Sequence, residues 1–133
     1  MKRINNGNYV DEAERVIKTL KNKKNPKTNK AISMVTTTKI RNLLAMTADI
    51  YNEVLNIPGE KLPNRLNDRI EYLRVRFIYE CGKDQEGKVK DFVETAGILE
   101  ILREVRGEKA NFILFNRYME ALVAFHRYYG GKD

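Results

Sequence analysis

Between Arg65 and Gly82 the apolar positions recur with helical spacing. At about 100° per residue, Leu66, Ile70, Leu73, Phe77 and Cys81 fall on one narrow stripe. Beside it, within roughly 80° of arc, come Arg65, Arg69, Tyr72, Arg76 and Tyr79. The pattern predicts a helix of about 25 Å with a core seam and, along its flank, a basic row interleaved with tyrosines. Gly82 stands where a C-cap is expected. Arg65 has Asp68, and Arg76 has Glu80, at a spacing that allows ion pairs along the helix. Arg69 has no acidic residue three or four positions away, which makes it the row's freest cation.

The remaining chain divides into four further helices. The first is predicted from Tyr9 to Lys21, with Val10, Ala13, Ile17 and Leu20 on one side. Asn8 is its N-cap candidate, and Asp11, Glu12 and Glu14 suit the positive end of the dipole. Residues 22–35 read as a flexible basic loop, either a finger laid on a polyanion or a solvated linker. A second helix opens at Thr36-Thr37-Thr38 and runs to about Asn56, with Ile40, Leu43, Leu44, Thr47, Ile50, Tyr51, Val54 and Leu55 within about 140° of arc. Its first turn carries Lys39 and Arg41, cations at the end of the dipole that favours acids. They mark an anion pocket on free N–H groups, or they simply extend into water.

A turn bounded by Pro58 and Pro63 leads into the arginine-rich helix. After Gly87 comes a helix from Lys88 to Arg106 with two apolar sets. Val89, Phe92, Val93, Ala96 and Leu99 share one side; Ile98, Ile101, Leu102 and Val105 share the opposite one, with Gly97 between. That pattern fits a helix between two layers, or one offering Ile98, Ile101 and Val105 to a second copy of the chain. The last helix runs from Lys109 to Tyr129, apolar around more than half its circumference, with Arg117 and Arg127 on the exposed side. His126 lies on its main seam with Phe112, Phe115, Met119 and Leu122, which makes it a hydrogen-bonded core residue. No alternation of strand type occurs. The expectation is all-α: residues 1–133 as one compact bundle of about five helices.

Charge narrows the function. The net is +7, and residues 1–36 hold nine basic residues against three acidic ones, while residues 84–108 hold four against seven. A basic surface suits nucleic acid, although a charge of this size also serves solubility alone. No run of eighteen apolar residues occurs and the first residues lack the apolar stretch of a signal peptide, so the expected location is the cytoplasm, without membrane attachment. The lone Cys81, on the core seam, is expected as a small buried hydrophobe in a reducing compartment. No catalytic residues, metal ligands or cofactor site are expected. The single His and Cys lie on apolar seams, the acidic residues lack metal-ligand spacing, and no glycine loop cradles phosphate.

Several stretches resemble a known family. They are Thr36–Leu44, Arg69–Gly82, Val89–Val93 and, most specifically, Phe115-Asn116-Arg117-Tyr118-Met119-Glu120-Ala121-Leu122-Val123-Ala124-Phe125-His126-Arg127-Tyr128-Tyr129-Gly130-Gly131. In that order they resemble the small subunit of the Csm complex, the type III-A CRISPR effector of antiviral defence. The resemblance implies a non-catalytic helical protein that self-associates, stacking in several copies along the complex. It implies crRNA and target RNA as partners, with the backbone and large Csm subunits beside them, cleavage chemistry residing in those other subunits. The residues placed for RNA-backbone contact are Lys39, Arg41, Arg65, Arg69, Arg76, Arg117 and Arg127. The competing readings are a stand-alone helical RNA-binding or adaptor protein outside any CRISPR complex and, further off, a nuclease.

Overall fold

The computed structural model describes residues 2–133. The fold is all-α, with six helices in order: α1 (Tyr9–Lys21), α2 (Thr37–Leu55), α3 (Asn64–Lys83), α4 (Lys88–Ala96), α5 (Ile98–Arg103) and α6 (Lys109–Tyr128). Among the described residues, strand-type pairing is limited to two isolated bridges, Lys24 with Ala31 and Lys61 with Glu108.

The expected count of five becomes six at Gly97. This residue has φ +68°, a left-handed conformation that L side chains adopt at a cost, and it ends α4 and redirects the chain into α5. The turn has a second consequence. Ile98, Ile101 and Val105, expected on an exposed face for a second copy, are buried within this chain. Reorienting α5 brings both apolar sets onto the same core, so no patch is left over. The carbonyls released at the break are claimed: the Tyr118 hydroxyl donates to Ala96 O at 2.8 Å, and the Arg3 guanidinium donates to Thr95 O.

Helix α6 packs against α1, α2 and α5, and α3 packs against α2, α4 and α5. Phe77 of α3 lies 6.4 Å from Phe115, and Phe112 lies 5.8 Å from Phe115, centroid to centroid. The predicted seam of Leu66, Ile70, Leu73 and Phe77 is buried, but Cys81 is only half-buried. The helix continues through Gly82 to Lys83 before capping at Asp84. Glycine is tolerated in a helix at roughly 1 kcal/mol against alanine, and no left-handed φ occurs there to end it.

Two apolar assignments fail at their margins. Val10 is exposed, because the buried stripe of α1 (Ala13, Val16, Ile17, Leu20) is centred nearer Val16. Leu55 is exposed as the last residue of α2. The Asn8 side chain does not cap α1 either; its Oδ1 accepts the Asn5 N–H at 2.7 Å.

His126 is buried as expected. Its Nε2–H donates to the Val35 carbonyl at 2.7 Å, an acceptor only, which leaves Nδ1 to accept the Thr37 hydroxyl at 3.2 Å. Burial holds this imidazole below its ordinary pKa, against the pull of the Val35 carbonyl.

Candidate nucleic-acid interface

The turn from Asn56 to Pro63 is too short for anything but antiparallel neighbours, and the side chains confirm that α2 and α3 run antiparallel. Glu53 near the end of α2 meets Arg65 and Arg69 near the start of α3. Lys39 at the start of α2 meets Asp84 just beyond the end of α3, at 2.9 Å. Between these two ties lie two shallow clefts. One, of about 200 Å³, is walled by Met46 and Asp49 on α2 and by Arg69, Tyr72 and Arg76 on α3. The other, of about 210 Å³, lies between Lys39 and Asn42 and Glu80, Lys83 and Asp84. Tyr72 and Tyr79 are 62% and 60% exposed, which leaves their ring faces open beside the arginines.

The predicted cations differ in how free they are. Arg69 was expected to be the freest of its row; instead it pairs with Glu53 across the helix interface. Spacing along one helix could not show a partner on another. Arg65 takes the same carboxylate at 3.6 Å rather than Asp68. Such half-exposed pairs contribute about 0–1 kcal/mol, so they hold the side chains in place without locking them away. Arg76 makes no ion pair among the described residues, and Glu80 is engaged by Lys83 at 3.9 Å instead.

At the α2 start, the donors expected to be free are largely taken. Lys132 O accepts the Thr37 N–H at 2.8 Å, and the Thr36 hydroxyl accepts the Lys39 N–H at 3.3 Å. The Lys39 ammonium is held by Asp84. The Asp84 carboxyl also accepts the Val89 N–H at 2.9 Å. That backbone bond first, and then Lys39, keep it below the usual carboxylate range. Arg41 is exposed, with no ion pair among the described residues. Arg117 and Arg127 are exposed on α6 and line neither cleft; Arg127 meets Asp133 at 3.6 Å. The structure therefore brings Arg65, Arg69 and Arg76 together with Lys39 at the far end, and leaves the α6 pair apart.

Residues absent from the sequence reading complete the surface. Lys39, Asn42, Met46, Asp49 and Glu53 recur every three or four positions along α2, the stripe that faces the α3 row. The short turn after α2 was the available signal, since it sets the two stripes side by side. Among the described residues, no group of three or more His, Cys, Asp or Glu could hold a metal, and no helix is long and apolar enough to cross a membrane.

The fold and this surface define a small all-α protein presenting an arginine- and tyrosine-bearing helix face. Comparison with known proteins gives the family. The family described as "Csm2 Type III-A" matches residues 7–132. A Streptococcus thermophilus protein named "CRISPR system Cms protein Csm2" is 43% identical over 126 residues, covering 95% of this chain and 94% of its own. A Mycobacterium tuberculosis protein of the same name is 40% identical over 125 residues, covering 94% of each. An Enterococcus italicus protein, again so named, is 35% identical over 101 residues, covering 74% of this chain and 71% of its own. The chain belongs to the Csm2 family of type III-A CRISPR systems. It is a small subunit of the Csm effector complex, and the other Csm subunits are its partners. The reading as a stand-alone protein outside any CRISPR complex is set aside.

Proposed function

We propose that this subunit is non-catalytic and holds the backbone of crRNA and target RNA along the α2–α3 face, stacking in several copies in the cytoplasm. One observation carries the reading: Arg65, Arg69, Tyr72, Arg76 and Tyr79 form a single exposed row beside the clefts between α2 and α3. The row spans about 21 Å at 1.5 Å per residue. Its three arginines face two carboxylates, Asp49 and Glu53, one of which two of them already share. Guanidinium groups suit phosphate oxygens, and tyrosine faces suit bases or sugars without regard to sequence. Lys39 extends the row towards the α2 start; Arg41, about 200° further round α2, and Arg117 and Arg127 on α6 lie off the row, and a bound strand would have to reach them around the molecule.

The test is charge reversal in the assembled complex. Arg69→Glu with Arg76→Glu sets a carboxylate against Glu53, so the melting temperature should fall by up to about 5 °C with the fold kept, while target RNA capture falls at least tenfold. Wild-type affinity should decline with salt, each phosphate contact adding roughly 0.7 to the log–log slope on single strands. A double variant that captures RNA as well as wild type would refute the assignment.

A further inference from the structure

A third cavity lies away from the arginine row. It measures about 420 Å³ and is enclosed by the end of α1, residues 31–34, the start of α4 and the C-terminal tail. A cavity of this size accommodates a small ligand. Three lysines stand around it, Lys21, Lys88 and Lys132, against one carboxylate, Asp133, which already meets Arg127. Ile32, Met34 and Tyr129 give it an apolar wall. Ile32 is exposed and lines the cavity beside Met34.

The walls are fixed in advance. The turn below is closed by the Asn25 N–H to Lys30 O and the Ile32 N–H to Lys23 O, both at 2.9 Å. The tail is pinned from the other side. Lys132 O accepts the Thr37 N–H at 2.8 Å, and the Gly131 N–H donates to His126 O at 2.7 Å. Gly131 lies so close to the imidazole that an added Cβ would meet Nε2 at 2.6 Å, so the tail has one seat. Tyr129 is anchored by its hydroxyl, which donates to Glu14 Oε2 at 2.6 Å. The ammonium groups of Lys18 and Lys21 sit 5.8 and 5.4 Å from the centre of its ring. Phe125 stacks on the same ring, centroids 6.3 Å apart, so Tyr129 is a fixed wall whose faces are already covered; cations and an aliphatic wall converge on the hollow beside it.

We infer that this cavity is a second binding site, for a nucleotide: its phosphate on Lys21 and Lys132 at the rim, its base against Ile32 and Met34. The site does not depend on the arginine row. Its ligand is either a free nucleotide or one unit of a single strand, and the chemistry of recognition is the same. Lys88 is partly committed, donating to the Ser33 hydroxyl at 2.8 Å and meeting Glu86 at 3.0 Å, and serves as a background charge.

The experiment titrates the full chain at low salt with adenosine 5′-monophosphate and, separately, with hexauridylate. Amide and methyl NMR shifts and calorimetry report binding. Resonances of Ile32, Met34, Tyr129 and Gly131 should move with either probe. Lys21→Glu with Lys132→Glu should weaken binding at least tenfold, while Arg69→Glu with Arg76→Glu leaves the shifts at Ile32 and Gly131 in place. Both lysines are exposed, so the double variant should melt with wild type; Ile32→Trp, which fills the cavity, is the independent check. Response to both probes assigns a free-nucleotide site, and response to hexauridylate alone assigns a strand site. If neither probe moves the cavity resonances, or the lysine variant binds both as wild type does, the inference is overturned, whatever the arginine row does.

Discussion

Replacing Gly97 with alanine tests the break that makes six helices out of five. Two costs add. Holding a residue with a Cβ at φ +68° costs about 1–2 kcal/mol. The new methyl would also fall 2.7 Å from Arg3 Cδ, too close for the guanidinium to stay where it meets Thr95 O and Glu12. Losing a hydrogen bond from a charged group costs about 1.5–3 kcal/mol. Stiffening the unfolded chain returns about 0.4–1 kcal/mol. The net is a loss of about 2–4 kcal/mol, or roughly 7–14 °C in melting temperature for a chain of this size. Arg3→Ala separates the contributions. In that background nothing obstructs the methyl, and Gly97→Ala should cost only about 1 kcal/mol, leaving the backbone conformation alone. Urea melts of the four proteins in a double-mutant cycle give the coupling directly. Equal costs in both backgrounds would show that Arg3 does not pack on the break. No cost in either would mean that α4 and α5 are one continuous helix.

Leu73 is buried on the α3 seam, so Leu73→Ala should lose about 2–5 kcal/mol; a thermal melt matching wild type would remove α3 from the core. Stability should also fall on mild acidification. The unfolded imidazole of His126 binds a proton near pH 6.5 and the buried one only below that. Its contribution is therefore complete above pH 6.5 and is lost as the pH falls through the lower, folded value, at up to about 1.4 kcal/mol per pH unit. Melts from pH 7.5 to 5 should show this slope in wild type and a flatter one in His126→Gln; identical slopes would exclude His126 as its source.

Legibility followed the range of the forces involved. The α1 bounds, the opening of α2 at Thr36–Thr38 and the α6 seam were readable because each depends on neighbours within one or two turns. At Gly97 the pattern showed one helix with a glycine inside it, and neither the break nor its consequence was legible, because only the left-handed turn decides which face Ile101 presents. Ion pairing was legible least. Glu53 lies sixteen positions before Arg69, and Asp84 lies forty-five after Lys39, so no spacing along a single helix points to either contact. The N-terminal strap was invisible for the same reason: Ile4 is buried and Arg3 covers Gly97, both through contacts distant in sequence. For the candidate surface, the sequence supplied the residue types and the row on α3. The opposing stripe on α2 needed the antiparallel packing.

The Asp84 carboxylate, only 6% exposed, joins three helix ends: it holds the Lys39 ammonium of α2, caps α4 through the Val89 N–H, and follows directly on α3. With Glu53 fastening the opposite ends of α2 and α3, the pair is buttoned top and bottom. Each tie is weak by itself, but both oppose the same motion, α2 sliding along α3, and so favour one register between the two backbones. A ligand of the kind proposed would meet two backbones already in register, with only the exposed side chains left to order. Part of the ordering that such an association would demand is then met when the chain folds.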